Sequence, residues 1–201
     1  MRVRFLLIAT LVFSQNALAA SFEQDIVSAA IAQTHHAVRY DGSYFSIAYP
    51  NGDVPENVGV CTDVVIRAYR KLGVDLQVLV HEDMLKNFRL YPSRKLWGLN
   101  ATDRNIDHRR VPNLQVFFAR HGKTLPMTDQ GRDYAPGDVV TWMLPGNLPH
   151  IGIVTNMIAS VSGNPMIVHN IGAGPKLEDM LLSYKITGHY RYVPKTYTGA
   201  P

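Results

Sequence analysis

The chain is poor in cysteine: Cys61 is the only one among 201 residues. That count excludes an internal disulfide and any cysteine-rich zinc module. Charge is also sparse and nearly balanced, with 18% charged residues against 46% apolar ones, a composition too apolar for an intrinsically disordered chain. No heptad, collagen or 20-to-50-residue repeat occurs, which removes fibrous and solenoid architectures. There is no phosphate loop and no dinucleotide fingerprint. His81-Glu82 lacks the second histidine of a zinc-protease helix, since Leu85 stands there. His35, His36, His121 and His189 likewise show no metal-ligand spacing. No cofactor or metal is therefore expected.

The longest apolar run, Phe5 to Phe13, is too short to span a bilayer. It follows the basic start Met1-Arg-Val-Arg and precedes Ala17-Leu-Ala19, with small residues where a signal peptidase reads. This pattern predicts a secretory leader over residues 1–19 and a mature chain, 20–201, forming one domain in the periplasm or outside the cell. No cysteine follows the run, so a lipoprotein anchor is not expected. Arg2 and Arg4 leave with the leader, so 20 basic side chains become 18 against 16 acidic. The isoelectric point of about 9.2 therefore gives little support for nucleic-acid binding.

The mature chain reads as helices first and strands later. Ser21-Phe-Glu-Gln24 is a capping box opening a helix with Phe22, Ile26, Ala29 and Ala30 on its apolar face. A second helix is predicted from Cys61 to Leu72, with Gly73 ending it. A short one is expected over Glu82 to Phe88, and another over Pro112 to His121. From Gly137 onward, strands are predicted at Asp138–Met143, His150–Thr155, Met166–Ile171 and His189–Val193, divided by glycine, proline and asparagine. The fold class is α+β, with helices on one side of an antiparallel sheet.

An exported lone thiol is either buried and inert or kept for chemistry. Cys61 falls in the first turn of a predicted helix, where unpaired amides and the helix dipole are expected to lower its pKa. A nucleophilic cysteine needs a base, and His150 begins a predicted strand with Gly152 leaving room beside it. The base needs an orienting group. Alternation puts His169 and Asn170 on opposite faces of the next strand, so only one of them can face His150. A coupled Cys61–His150 pair would rest as thiolate beside imidazolium, keeping the thiol reactive well below the pH at which a free thiol stops reacting.

Gly59-Val-Cys-Thr-Asp63, Pro136-Gly-Asp-Val-Val140, Pro149-His-Ile-Gly-Ile-Val154 and Ile167-Val-His169 occur here in one order. That ordered set resembles the NlpC-type papain-like cysteine peptidases. With Asp107-His-Arg-Arg110 and Gly188-His-Tyr-Arg191, the chain also looks like an uncharacterised branch of bacterial exported proteins. The resemblance implies a papain-like α+β fold and cleavage of peptide or amide bonds in peptidoglycan stem peptides by a monomer. It implies Cys61 as nucleophile, His150 as base and His169 as orienter, with Tyr49, twelve residues ahead of Cys61, beside the nucleophile. Asn170 and Asp63 are candidate supporting residues, and Arg109 and Arg110 could clamp a substrate carboxylate. Thr62 and Asp63 replace the Ser-Gly that usually follows the family's cysteine, and the stretch between Cys61 and His150 is long. Two other readings stand beside the hydrolase. One is a silent papain-like module that binds cell-wall peptides. The other is an acyltransferase using the same thiol, against which the order of cysteine before histidine counts.

Overall fold

A computed structural model describes residues 21–195 and 197–198. The expected leader, 1–19, lies outside the described residues. The capping box is formed: Gln24 N donates to Ser21 Oγ, and Ser21 N donates to Gln24 Oε1, at 3.3 and 3.2 Å. It opens α1 (Phe22–Ala32), which buries Phe22, Ile26, Val27 and Ala30. Two short strands, β1 (Arg39–Tyr40) and β2 (Val58–Gly59), pair in parallel and lead into α2 (Cys61–Lys71). Gly73, at φ +76°, ends α2 by a left-handed turn in which Gly73 N and Val74 N donate to Arg70 O and Tyr69 O.

The third helix departs from expectation. Instead of a short helix from Glu82, α3 runs Leu76–Asn87, because the Asp75 carboxylate accepts from Gln77 N and Val78 N at 2.9 and 3.4 Å. This aspartate cap marks the start that apolar spacing alone had not shown. A five-residue helix, α4 (Ser93–Trp97), and α5 (Val111–His121) follow.

The second half contains β3 (Lys123–Thr124), β4 (Val139–Leu144), β5 (Leu148–Ile158), β6 (Pro165–His169), β7 (Lys176–Glu178) and β8 (Lys185–Arg191). They form one antiparallel sheet in the order β3-β8-β4-β5-β6-β7. The expected strands are present with shifted ends, and β3 and β7 are additions too short to read from alternation. The last strand does not continue the meander but returns to pair with β4.

The sheet divides the apolar residues by parity. Val139, Ile151, Ile153 and Val168 meet α1, α2 and α5 in the larger core, with Tyr69, Leu114, Phe117 and Phe118 among its members. Val140, Trp142, Val154 and Ile167 point the other way, onto Tyr134, Met180 and Leu181. The fold is thus mixed α+β, with helices on one face of an antiparallel sheet and a smaller cluster on the other. Asp138 sits between β4 and β8. It accepts from Arg191 Nε at 2.6 Å, faces His189 Nε2 at 2.8 Å and is fully buried. Among the described residues no helix is long and apolar enough to cross a membrane.

Candidate active site

Cys61 is the first residue of α2 and is 5% exposed. Its side chain borders an open cleft of about 260 Å³, whose walls include Tyr40, Val60, Trp97, Arg110 and Pro149. The thiol lies within hydrogen-bonding range of three backbone amides, those of Ile151, Thr62 and Cys61 itself. These N–H groups favour a thiolate, that of Ile151 most, but they lose to burial. Burial, reinforced by the Asp63 charge, pushes the Cys61 thiol up to about 12. The expected lowering by the helix terminus is therefore reversed, since desolvation outweighs the dipole.

The Ile151 contact fixes where the thiol sits on the sheet. Pairing between β5 and β6 stops at Gly152↔His169, so the β5 edge at Ile151 has no β6 partner there. Cys61 occupies this notch. Ile151 turns its side chain toward the helices, whereas His150 shares the far face with Trp142, its cross-strand partner. The thiol and the imidazole thus approach one strand end from opposite sides.

His150 and His169 meet directly. Nε2 of His150 is 3.0 Å from Nδ1 of His169, with the rings nearly perpendicular, and both residues are at most 2% exposed. Glu178 Oε2 lies 2.8 Å from His169 Nε2, displaced from the ring N–H axis. Burial first, then the neighbouring His169, lowers His150 to about 3. Both groups of the expected ion pair therefore rest neutral. Gly152 makes the histidine contact sterically feasible: a Cβ there would meet Ile167 Cγ2 at 2.7 Å, Val168 O at 2.9 Å and His169 Cβ at 3.1 Å. Because one of these is backbone, Gly152→Ala must part β5 from β6. The expected cost is about 1–3 kcal/mol in chemical denaturation, with the two imidazoles drawn apart; unchanged stability would show that the strands yield freely.

Asn170 takes the other face. Its Nδ2 donates to Gly59 O at 3.3 Å and its Oδ1 accepts from Gly172 N at 3.1 Å. It ties the end of β6 to the segment that delivers Cys61, and it does not bond His150.

One other candidate lies elsewhere than expected. Tyr49 packs edge-on against His81 with Arg104 over its ring, away from the cleft walls. Tyr40 holds the position beside Cys61. Burial, then Cys61 and Asp63, raises its pKa. No spacing linked Tyr40 to Cys61, because the connection is the two-residue pairing of Tyr40 with Gly59.

Asp63 accepts Val60 N at 2.7 Å, closing the first turn of α2. It also forms a two-pronged pair with Arg109, at 2.8 Å to Nε and 2.9 Å to Nη2, both side chains under 5% exposed. Arg109 lines the cleft, and its guanidinium is engaged there by the protein's own carboxylate. Arg110 also faces the cleft, its guanidinium 4.3 Å from the Trp97 ring centre and 3.1 Å from Asp107. His108, between these arginines and α2, is 2% exposed and lowered by burial to about 4.

Comparison with known proteins places this arrangement in a family. The sequence profile of a family described as "Domain of unknown function (DUF1287)" matches residues 27–192. The chain belongs to that family. It is also similar to the "Uncharacterized protein YijF" of Escherichia coli strain K12, with 51% identity over 170 residues, covering 85% of this chain and 82% of the relative. The DUF1287 match runs from α1 through β8, so the cysteine, the two histidines and Glu178 all fall within it.

Proposed function

We propose that this DUF1287 protein is an exported cysteine hydrolase of NlpC-type, papain-like kind, acting on peptide or amide bonds of peptidoglycan stem peptides. One observation carries the reading. A cleft-side thiol at a helix start rests against the amide that follows His150, and His150 is itself bonded to His169. In the first half-reaction Cys61 gives its proton to His150 Nδ1 while sulfur bonds the scissile carbonyl carbon. The amide nitrogen leaves with that proton, and a thioester remains. In the second, His150 takes a proton from water as its oxygen attacks the thioester. The acid departs and the proton returns to sulfur, so one water is consumed per bond. The amides of Cys61, Thr62 and Ile151 are the donors available for developing negative charge.

A second reading has its own support. A thiol held neutral to about 12, at a strand end whose imidazole is lowered to about 3, suits a module that grips a peptide without cutting it. Incubation with purified peptidoglycan, followed by mass analysis of released fragments, separates the two. The hydrolase should release stem-peptide pieces, and Cys61→Ala should release none while keeping its thermal unfolding midpoint. Equal release by Cys61→Ala would end the hydrolase reading, and retention on peptidoglycan without release by either protein would favour the binding module.

A further inference from the structure

The chemistry above leaves a difficulty. His150 must become positive when it takes a proton, yet it sits 2% exposed against Trp142, where charge is strongly disfavoured. Among the described residues no carboxylate is hydrogen-bonded to or ion-paired with His150. The nearest route to one runs through His169: from His150 Nε2 to His169 Nδ1 is 3.0 Å, and from His169 Nε2 to Glu178 Oε2 is 2.8 Å.

We propose that Glu178 is a positioning residue that draws the positive charge out of the buried site, so that a proton accepted by His150 ends as an imidazolium on His169 beside the Glu178 carboxylate. This deepens the hydrolase reading and rests on it for its catalytic consequence.

The proton inventory follows from the geometry. A bare nitrogen lone pair at His169 Nε2 would face a carboxylate at 2.8 Å, so Nε2 carries hydrogen and Nδ1 is the acceptor. His150 Nε2 must then be the donor, which leaves His150 Nδ1 bare and able to accept. A proton arriving at His150 Nδ1 releases the Nε2 proton to His169 Nδ1. No heavy-atom bond changes, and one proton added at one end appears as charge at the other. The off-axis placement of Glu178 does not matter to this argument, because the attraction is between charges and not a linear hydrogen bond.

Topology puts Glu178 within reach. It pairs with Ile167, and His169 pairs with Lys176, so Glu178 is the diagonal neighbour of His169 on the same face of β6 and β7. Burial presses the pKa of His169 down, and Glu178 is the group that works against it. The other charged or titratable groups here are Lys176, exposed opposite His169; Asp179, which accepts from Ser162 Oγ; and Tyr184, on the wall of a groove of about 480 Å³ that also contains Glu178. None of these three is hydrogen-bonded to His169. Because Glu178 is half exposed, replacing it does not open the core.

The test is a histidine side-chain NMR titration of the full chain, with resonances assigned from His150→Ala and His169→Ala. Wild type, Glu178→Gln and Glu178→Asp are compared. As pH falls, His169 should gain its second proton before His150. Its midpoint should fall by about one pH unit or more in Glu178→Gln and recover partly in Glu178→Asp, with unfolding temperature unchanged throughout. In peptidoglycan hydrolysis, Glu178→Gln should lower kcat at constant KM and move the acid limb to lower pH. A His169 midpoint indifferent to Glu178→Gln, or His150 charging first, would overturn the proposal even with hydrolysis intact. The expected titration without any hydrolysis would leave the charge path standing and reject the hydrolase reading.

Discussion

Arg109→Met should destabilise the protein by about 3–5 kcal/mol, because it strands the Asp63 carboxylate inside the fold. Asp63 is 2% exposed, and its two oxygens are shared between Arg109 and the Val60 amide. Without Arg109 the carboxylate is left without its cation in a poor solvent, which costs folding free energy. The loss reaches beyond the pair, since Asp63 sets the first turn of α2 and thereby the place of Cys61. Arg109 also supplies the carbonyl that accepts from Thr62 Oγ1 at 3.1 Å, a backbone contact that Arg109→Met keeps. Asp63→Asn combined with Arg109→Met removes the orphaned charge and should recover part of the loss, which a double-mutant cycle in urea measures. The neighbouring Arg110→Met loses the stacking on Trp97 and one of the two hydrogen bonds to buried Asp107, which keeps the Asp103 amide, so it should cost less, about 1–3 kcal/mol. If Arg109→Met proved as mild as Arg110→Met, the pair would not hold the site together, and Arg109 would again be open to a substrate carboxylate.

Much of the scaffold was legible because it rests on local chemistry. Ser21 and Gln24 form the cap their spacing announced, Gly73 ends α2 as a left-handed residue, and apolar periodicity located α1, α2 and α5. Alternation located four strands and put His169 and Asn170 on opposite faces. The structure gives His150 the histidine and Gly59 the asparagine. What sequence did not show is what depends on long-range pairing. Tyr40 reaches the Cys61 cleft through a two-residue parallel contact, Glu178 reaches His169 through a three-residue strand, and β8 reaches β4 across the intervening β5, β6 and β7. Strands of two or three residues carry no usable alternation. The Arg109–Asp63 pair spans 46 residues, and its two members looked separately like a substrate clamp and a site accessory. Desolvation is the deeper omission. A helix start predicts a low thiol pKa only if the thiol meets water, and exposure is a property of the packed chain.

Burial has a measurable consequence for the thiol. With its pKa pushed up to about 12, Cys61 should hold roughly two-thousandfold less thiolate at pH 8 than an ordinary cysteine near 8.5. A more basic thiolate is intrinsically more nucleophilic, which returns about thirtyfold of that deficit. Alkylation by iodoacetamide should therefore run on the order of a hundredfold slower than for a free thiol at pH 8, and its rate should still be climbing above pH 10. The sign follows from the neutral form being the one that burial favours: raising the pH supplies the scarce thiolate, and lowering it removes the little there is. His150→Ala should leave this profile in place, because His150, lowered to about 3, carries no imidazolium to lose. The same substitution should abolish peptidoglycan hydrolysis, since the base that takes the thiol proton during attack is gone. The two assays thus separate resting charge from catalytic role. A wild-type rate that stays level below pH 7, with His150→Ala displaced toward pH 8.5, would instead mean that a thiolate–imidazolium pair exists before any substrate binds and that the amides around Cys61 outweigh its burial.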